Sequence, residues 1–517
     1  MKVIDRIKIR WQQLSSSLRL GLIAGLSGVI YLAFTLPFPL YRFYISIPPL
    51  DYAKLTHYSV LGFITYLAGI LALFGLYALG LQIFSAHPIA EAKALRWIIL
   101  GSSAFGLILV FSYPQTAIDL FVYAIRTRGW VLHGLSPFTT PPEAWPSNAD
   151  PWLGLAGEWA GSASPYGPVW EWLSLGVYYL CGGGYLAHLI GIKLLSLAAY
   201  LGCIWLVYRI LRLSRPEWAI TGTAFFAWNP LVLFEGVQNA HNDILMVFFL
   251  LVATWAFAHL VTDLTQKRRL FWFGLFVIGF SASISVKFVT LMILPFFLVG
   301  LALQERTWPR RLLIFLLVGL SILTISVLEM WPYWPGWDQW AVLESGKGAG
   351  RSLVALLVLI LRGKFGTNQA FDIVNGIIYG GIGVLYLGCL WQVWRSLQSH
   401  RQRGSIPQKN AFEAPLLSSF WIFFWYVLLA ASTFHAWYLL WFLPLGAFLV
   451  PRERIISGAF VFSGMALLII PYYETIRVWL PYLNTNHILG HLIGVGLLTI
   501  TVIASLWSPL KIFPKST

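Results

Sequence analysis

Residues 59–84 read SVLGFITYLAGILALFGLYALGLQIF, without one charged side chain. An apolar stretch of roughly 17–25 residues is long enough to cross a bilayer as a helix, which satisfies its own backbone polar groups where no water can. Similar runs recur at 18–40, 97–113, 185–208, 217–235, 242–262, 270–286, 288–304, 312–331, 373–394, 415–432, 436–450, 455–472 and 486–507, bringing the total to fourteen. The pair 270–286 and 288–304 reads equally as one long tilted helix or as a broken hairpin. The expected fold is all-α: a polytopic membrane bundle of about 13–14 transmembrane helices, built as a single domain over 1–517.

Composition agrees. Of 517 residues, 58% are hydrophobic and 11% charged, against roughly 25% charged in soluble domains. The net charge of +15 comes from short basic clusters between apolar runs. Such placement orients a membrane protein and does not make a nucleic-acid surface. Cys181, Cys203 and Cys389 are scattered, with no metal-like spacing. The basic start, MKVIDRIKIRWQQLSSSLRL, runs into the first apolar stretch without a clear small-residue cleavage site, which reads as a retained span.

With both termini cytoplasmic, the loops on that side hold 24 Lys and Arg, and the opposite loops hold 9. The positive-inside rule favours this arrangement. It requires that 168–181 not cross, so that segment and 351–361 read as interfacial or re-entrant helices. Two long extracytoplasmic loops follow, 114–184 and 332–372, both rich in Pro, Gly and Trp. Loops of that length favour a lid or binding role.

Chemistry-bearing residues gather at the outward ends of the spans. Asp119 opens a segment that reads as a helix over 117–132, with Tyr123 on the same side and Arg126 and Arg128 beyond. A carboxylate shielded at the interface can serve as a general base; the alternative is a helix cap. WNPLVLFEGVQNAHND, at 228–243, packs Glu235, Asn239, His241, Asn242 and Asp243 into apolar sequence. Capping explains one or two of these, not five, because burying them without partners costs several kcal/mol. Lys287, in SASISVKFVTLMILP, either snorkels to the interface or binds a lipid phosphate. His435, in STFHAWYLLWFLPL, is similarly placed, and Lys347 and Arg351 are exposed candidates in the second loop. Outward tryptophans (Trp145, Trp152, Trp159, Trp170, Trp334, Trp337) suit stacking on sugar faces, though belt formation accounts for many.

The ordered set D-x-x-x-Y…HGLSPF, SPYGPVW, NPLVLFEGVQNAHNDILM, SVKF…LP and HAWYLLWFLPL resembles the GT-C superfamily of integral-membrane glycosyltransferases. The likeness is strongest to the bacterial polyprenyl-phosphomannose-dependent alpha-1,6-mannosyltransferase group, and it runs from about 110 to 450. The resemblance implies interfacial helices in the first outer loop and an acidic catalytic base early in that loop, a position Asp119 matches. Phe138 stands where a Tyr is expected. It implies a hexosyltransferase of a bacterial plasma membrane, working extracytoplasmically and moving a sugar, mannose by the resemblance, from a polyprenyl-phosphate donor to a glycan or lipid-linked acceptor with inversion. Lys287, Arg126, Arg128 and His241 are then expected at the donor phosphate, and Tyr123, Asn242, Asp243, His435 and Tyr166 at the sugar or its orientation. No cofactor is required; a divalent metal between Asp119 and Asp243 is conceivable but not indicated. The competing classes are a lipid-linked oligosaccharide flippase or transporter and a lipid-linked glycan ligase or polymerase.

Overall fold

The computed structural model describes residues 11–86, 89–262, 266–334, 350–402 and 408–513. The described chain is an all-α bundle with no β-strand beyond two isolated bridges. Eleven of its helices are long and apolar enough to span a membrane. Those that matter below are α1 (Ser16–Thr35), α2 (Val60–Ser85), α3 (Glu91–Val110), α4 (Asp119–His133), α5 (Pro168–Leu180), α6 (Tyr185–Ser214), α7 (Ala219–Ala227), α8 (Asp243–Thr262), α9 (Gln266–Val286), α10 (Leu294–Ala302), α11 (Trp308–Met330), α12 (Leu353–Phe365) and α13 (Thr367–Gln402). The short α4, α5 and α12 lie where the sequence predicts interfacial helices.

Three of the fourteen apolar runs are interrupted rather than continuous, a correction with local causes. In the 217–235 run, α7 stops at Trp228, and Pro230, which has no N–H to offer, starts the next turn. Asn229 caps that turn by accepting from Leu231 N at 3.0 Å and donates to Ser463 Oγ at 3.1 Å. The Trp228 indole fills the space left by Gly80 on α2 and Gly101 on α3. The 288–304 run is a 3-10 turn, Phe288–Met292, followed by the short helix α10, and Lys287 before it has an extended backbone (φ −153°, ψ 120°), so the single-long-helix alternative is excluded. The 436–450 run is a 3-10 turn, Ala436–Trp441, followed by the short helix Leu443–Ala447.

Packing sorts the helices into a core and a periphery. α8 packs on α9 and α6 and is largely buried, whereas α11 leaves Leu312, Leu316, Leu320 and Leu323 bare along one stripe. A stripe of that size and apolarity belongs against hydrocarbon, not water. The break at Trp228 lies in the buried part of the bundle, and those at Lys287 and His435 border a cavity, settings in which irregular backbone is tolerated.

Candidate functional site

Asp119 is the first residue of α4, but its side chain caps nothing: Ile118 holds the capping position, with no side-chain cap bond. Asp119 is 4% exposed. Its Oδ1 accepts from the Tyr166 hydroxyl at 3.2 Å, and the Tyr123 hydroxyl donates to Tyr166 at 3.4 Å. Oδ2 has no protein partner. Burial pushes the Asp119 carboxyl above the ordinary carboxylate range; His241, Lys287 and the Tyr166 hydroxyl pull the other way. The arrangement orients one oxygen and leaves the other for a ligand.

The polar knot of 228–243 divides into two parts. The first part is a clamp on the strand of chain leading into Asp119. Asn239 Oδ1 accepts from Gln115 N at 2.7 Å, and its amide donates to Thr116 Oγ1 at 2.6 Å and Glu235 at 2.8 Å. Thr116 donates to the other Glu235 oxygen at 2.8 Å. Gln238 donates to Ser112 Oγ at 2.7 Å and Tyr113 O at 3.0 Å. A buried network of this kind rigidifies what it holds, with Gln115 Nε2 and Gln238 Oε1 left unpartnered. Ala240 then turns the chain through a left-handed conformation, φ 55°, a strain of about 1–2 kcal/mol for a residue with a Cβ.

Past that turn, the second part faces the opposite way. His241 lies 3.3 Å from Glu235 and stacks on Trp437 at 4.0 Å, and Trp437 stacks on His435 at 4.1 Å. Both polar atoms of the buried Asn242 side chain lack a partner. Asp243 accepts from Lys287 at 2.8 and 2.9 Å and from Trp441 Nε1 at 2.5 Å. The Lys287 ammonium also lies over the rings of Tyr166, Tyr438 and Trp441, at 5.7, 5.3 and 5.5 Å. It is therefore fixed in an aromatic box and does not snorkel.

One contact brings Tyr166 and Lys287 together. Gly167 N donates to Val286 O at 3.0 Å, and a Cβ on Gly167 would fall 2.1 Å from Ser285 O. Only glycine permits that approach. Gly167→Ala must push α5 and the end of α9 apart. It is expected to cost about 1–3 kcal/mol, as overpacking does, seen as a lower apparent melting temperature in thermal unfolding.

Asp119, Arg126, Tyr166, Lys287 and His435 line one cavity of about 450 Å³, together with Trp159, Trp437 and Tyr438. Arg126 is buried and donates to Ser162 O at 2.9 Å and Ala163 O at 3.2 Å, while its Nε and Nη1 have no partner. The nearby Glu171 is occupied by Ser164 Oγ at 2.6 Å. Burial holds the His435 imidazole well below the usual histidine range, helped by Arg351, Lys287 and His241, so it faces the cavity neutral. His241, Asn242 and Asp243 stand behind these groups and do not line the cavity.

Arg128, expected beside Arg126, is turned away. It pairs with Asp150 at 2.8 Å and donates to Gly183 O at 3.0 Å. Two helical residues differ by roughly 200° around the axis, so the two arginines cannot share a face. Among the outward tryptophans only Trp159 lines the cavity; Trp152 stacks on Tyr185, Trp145 covers Gly129 and Trp170 packs on Tyr123. Trp337 and Lys347 lie outside the described residues. Sequence reasoning did not single out Trp437, Tyr438 or Trp441, although all three sit beside His435 in the quoted HAWYLLWFLPL. Among the described residues no group of three or more His, Cys, Asp or Glu is placed to hold a metal ion.

Residues 28–303 match a protein family described as alpha-(1->6)-mannopyranosyltransferase, N-terminal domain. Alpha-(1->6)-mannopyranosyltransferase A of Corynebacterium glutamicum is 24% identical over 225 residues, which is 42% of this chain and 42% of that protein. The match therefore spans less than half the length of the curated relative.

Proposed function

This chain belongs to the alpha-(1->6)-mannopyranosyltransferase family, and on that premise we propose that it transfers a mannosyl group from a polyprenyl-phosphate donor to an acceptor hydroxyl at the outer face of the membrane. One observation carries the reading. Asp119, one of whose oxygens has no partner, and the Lys287 and Arg126 cations line one cavity, so a base and phosphate-binding groups converge on the same space. Nucleotide sugars do not reach the outer face, so a donor there arrives on a lipid phosphate.

Asp119 takes the proton of the acceptor hydroxyl as its oxygen bonds to the anomeric carbon. The bond from that carbon to the phosphate oxygen breaks, and its electron pair leaves with the polyprenyl phosphate, inverting the centre. Negative charge grows on the departing phosphate, where fixed cations stabilise the transition state most. Lys287 and Arg126 hold it; Asp243 holds Lys287. Tyr166 and Tyr438 line the cavity with rings that can meet the sugar.

For the lipid tail there is an apolar groove of about 580 Å³, floored by Gly380 and Gly383 of α13 and walled by Met292, Tyr386, Leu387 and Tyr426. Tyr426 lies 6.3 Å from Trp441, which stacks on Tyr438 at 4.4 Å, so packed aromatic rings link the groove wall to the Lys287 box. Each prenyl CH₂ or its equivalent buried there contributes about 0.8 kcal/mol.

The test is to supply purified protein in lipid nanodiscs with radiolabelled polyprenyl-phosphate mannose and a mannoside acceptor. Labelled, elongated acceptor is expected; movement of intact donor across a liposome membrane with no new glycosidic bond would replace this reading with a flippase. Because both Asp243 oxygens are engaged by Lys287, and Oδ1 by Trp441 as well, a cation shared with Asp119 is not part of the proposal. Transfer is accordingly expected to survive EDTA unchanged.

A further inference from the structure

A second cavity, of about 330 Å³, adjoins the first at Asp119 and extends among residues that exclude Lys287, Arg126 and Tyr166. It shares Asp119, Trp159, His435 and Trp437 with the first, and is otherwise walled by Asp51, Lys54, Glu158, Arg351 and Glu474. Its charges are already matched to one another. Lys54 bridges Asp51 at 3.4 Å and Glu158 at 3.2 Å, and Arg351 pairs with Glu474. Three carboxylates thus face two cations, with Asp119 on the shared wall, and both cations are engaged.

The two cavities are chemically opposite. The first presents Arg126 with unpartnered donors and the boxed Lys287, which suits an anion. Among the described residues the second carries four carboxylates, Asp119 included, against two cations, so a phosphate entering it meets net repulsion. An uncharged polyol meets several strong hydrogen-bond acceptors, two cationic donors and an indole face. Trp159 Nε1 is buried without a partner on the boundary between the two spaces. In-line displacement adds a geometric requirement. With the leaving phosphate on the Lys287 side, the incoming hydroxyl must approach the anomeric carbon from the opposite side, and the free Oδ2 of Asp119 belongs to a residue that borders both spaces.

We infer that this second cavity is the acceptor subsite and that it selects an uncharged saccharide, with Glu158 and Glu474 accepting its hydroxyls and Trp159 covering the sugar face. The inference rests on the transferase reading above, and the experiment separates the two. Glu158→Gln and Glu474→Gln are compared with wild type in nanodiscs, using polyprenyl-phosphate mannose and two acceptors. These are octyl α-mannobioside and the same glycoside phosphorylated on its reducing-end sugar. Each variant is expected to raise KM for the neutral glycoside about tenfold, the usual value of a hydrogen bond to a charged group. KM for the donor should not change. Glu158 is about half exposed (51%), so its substitution does not threaten folding. Glu158→Lys is expected to admit the phosphorylated glycoside that wild type discriminates against. Equal use of both glycosides by wild type, or an acceptor KM unmoved in both glutamine variants, overturns the subsite while leaving transfer intact. A wild-type protein that neither transfers nor hydrolyses the donor overturns the underlying reading instead.

Discussion

Asp119→Asn is expected to lower mannosyl transfer by roughly 10³-fold, within the range general-base catalysis supplies, while the donor still binds. The substitution is nearly isosteric, and the Tyr166 hydroxyl can donate to the amide oxygen as it does to Oδ1. Folding should therefore be preserved, checked by an unchanged melting temperature. Donor KM should not rise, since the change removes a negative charge from the neighbourhood of a phosphate. The wild-type pH profile gives an independent readout. A base works deprotonated, so activity falls as pH drops through its pKa. Because burial raises the Asp119 carboxyl, that acid limb should lie above the ordinary aspartate range and vanish in the variant. Retention of a tenth or more of wild-type turnover would move the base elsewhere.

Lys287→Ala should produce two losses that a second variant separates. Asp243 is 1% exposed at its side chain, and removing the ammonium leaves its charge unpaired. Breaking a buried pair costs about 3–5 kcal/mol, so the single variant should melt markedly lower. In Lys287→Met with Asp243→Asn no lone charge is left, and Trp441 can still donate to residue 243. Stability should largely return. Donor binding should not: both variants are expected to raise donor KM at least tenfold and lower kcat by about 10²–10³, as loss of one transition-state donor does. A double variant with wild-type donor KM would assign Lys287 a structural role only.

Much of this was readable from the chain. Runs of apolar residues give the bundle, and the density of polar residues at 228–243 marks a segment that cannot be plain hydrophobic filling. What periodicity does not carry is pairing across the sequence. Glu235 and Asn239 belong to a clamp on Gln115 and Thr116, more than a hundred residues earlier, and no local pattern announces it. Trp437, Tyr438 and Trp441 read as ordinary interfacial aromatics until Lys287 is seen among them. Arg128 is different: the helical angle from Arg126 was available and argues against a shared role. The three broken runs were legible only in part: Pro230, Pro295 and Pro444 sit where helix resumes in each, whereas no local residue marks the extended backbone at Lys287.

The two cavities draw on the chain unequally. The Lys287 and Arg126 cations come from the first three hundred residues, whereas Arg351 and Glu474, which line only the second cavity, come from later ones. Inheritance can act on such parts separately. A genetic crossover between the two stretches would pass on both cations proposed to hold the leaving phosphate and exchange part of the wall proposed to meet the acceptor. Descendants could then diversify their products without reinventing the chemistry.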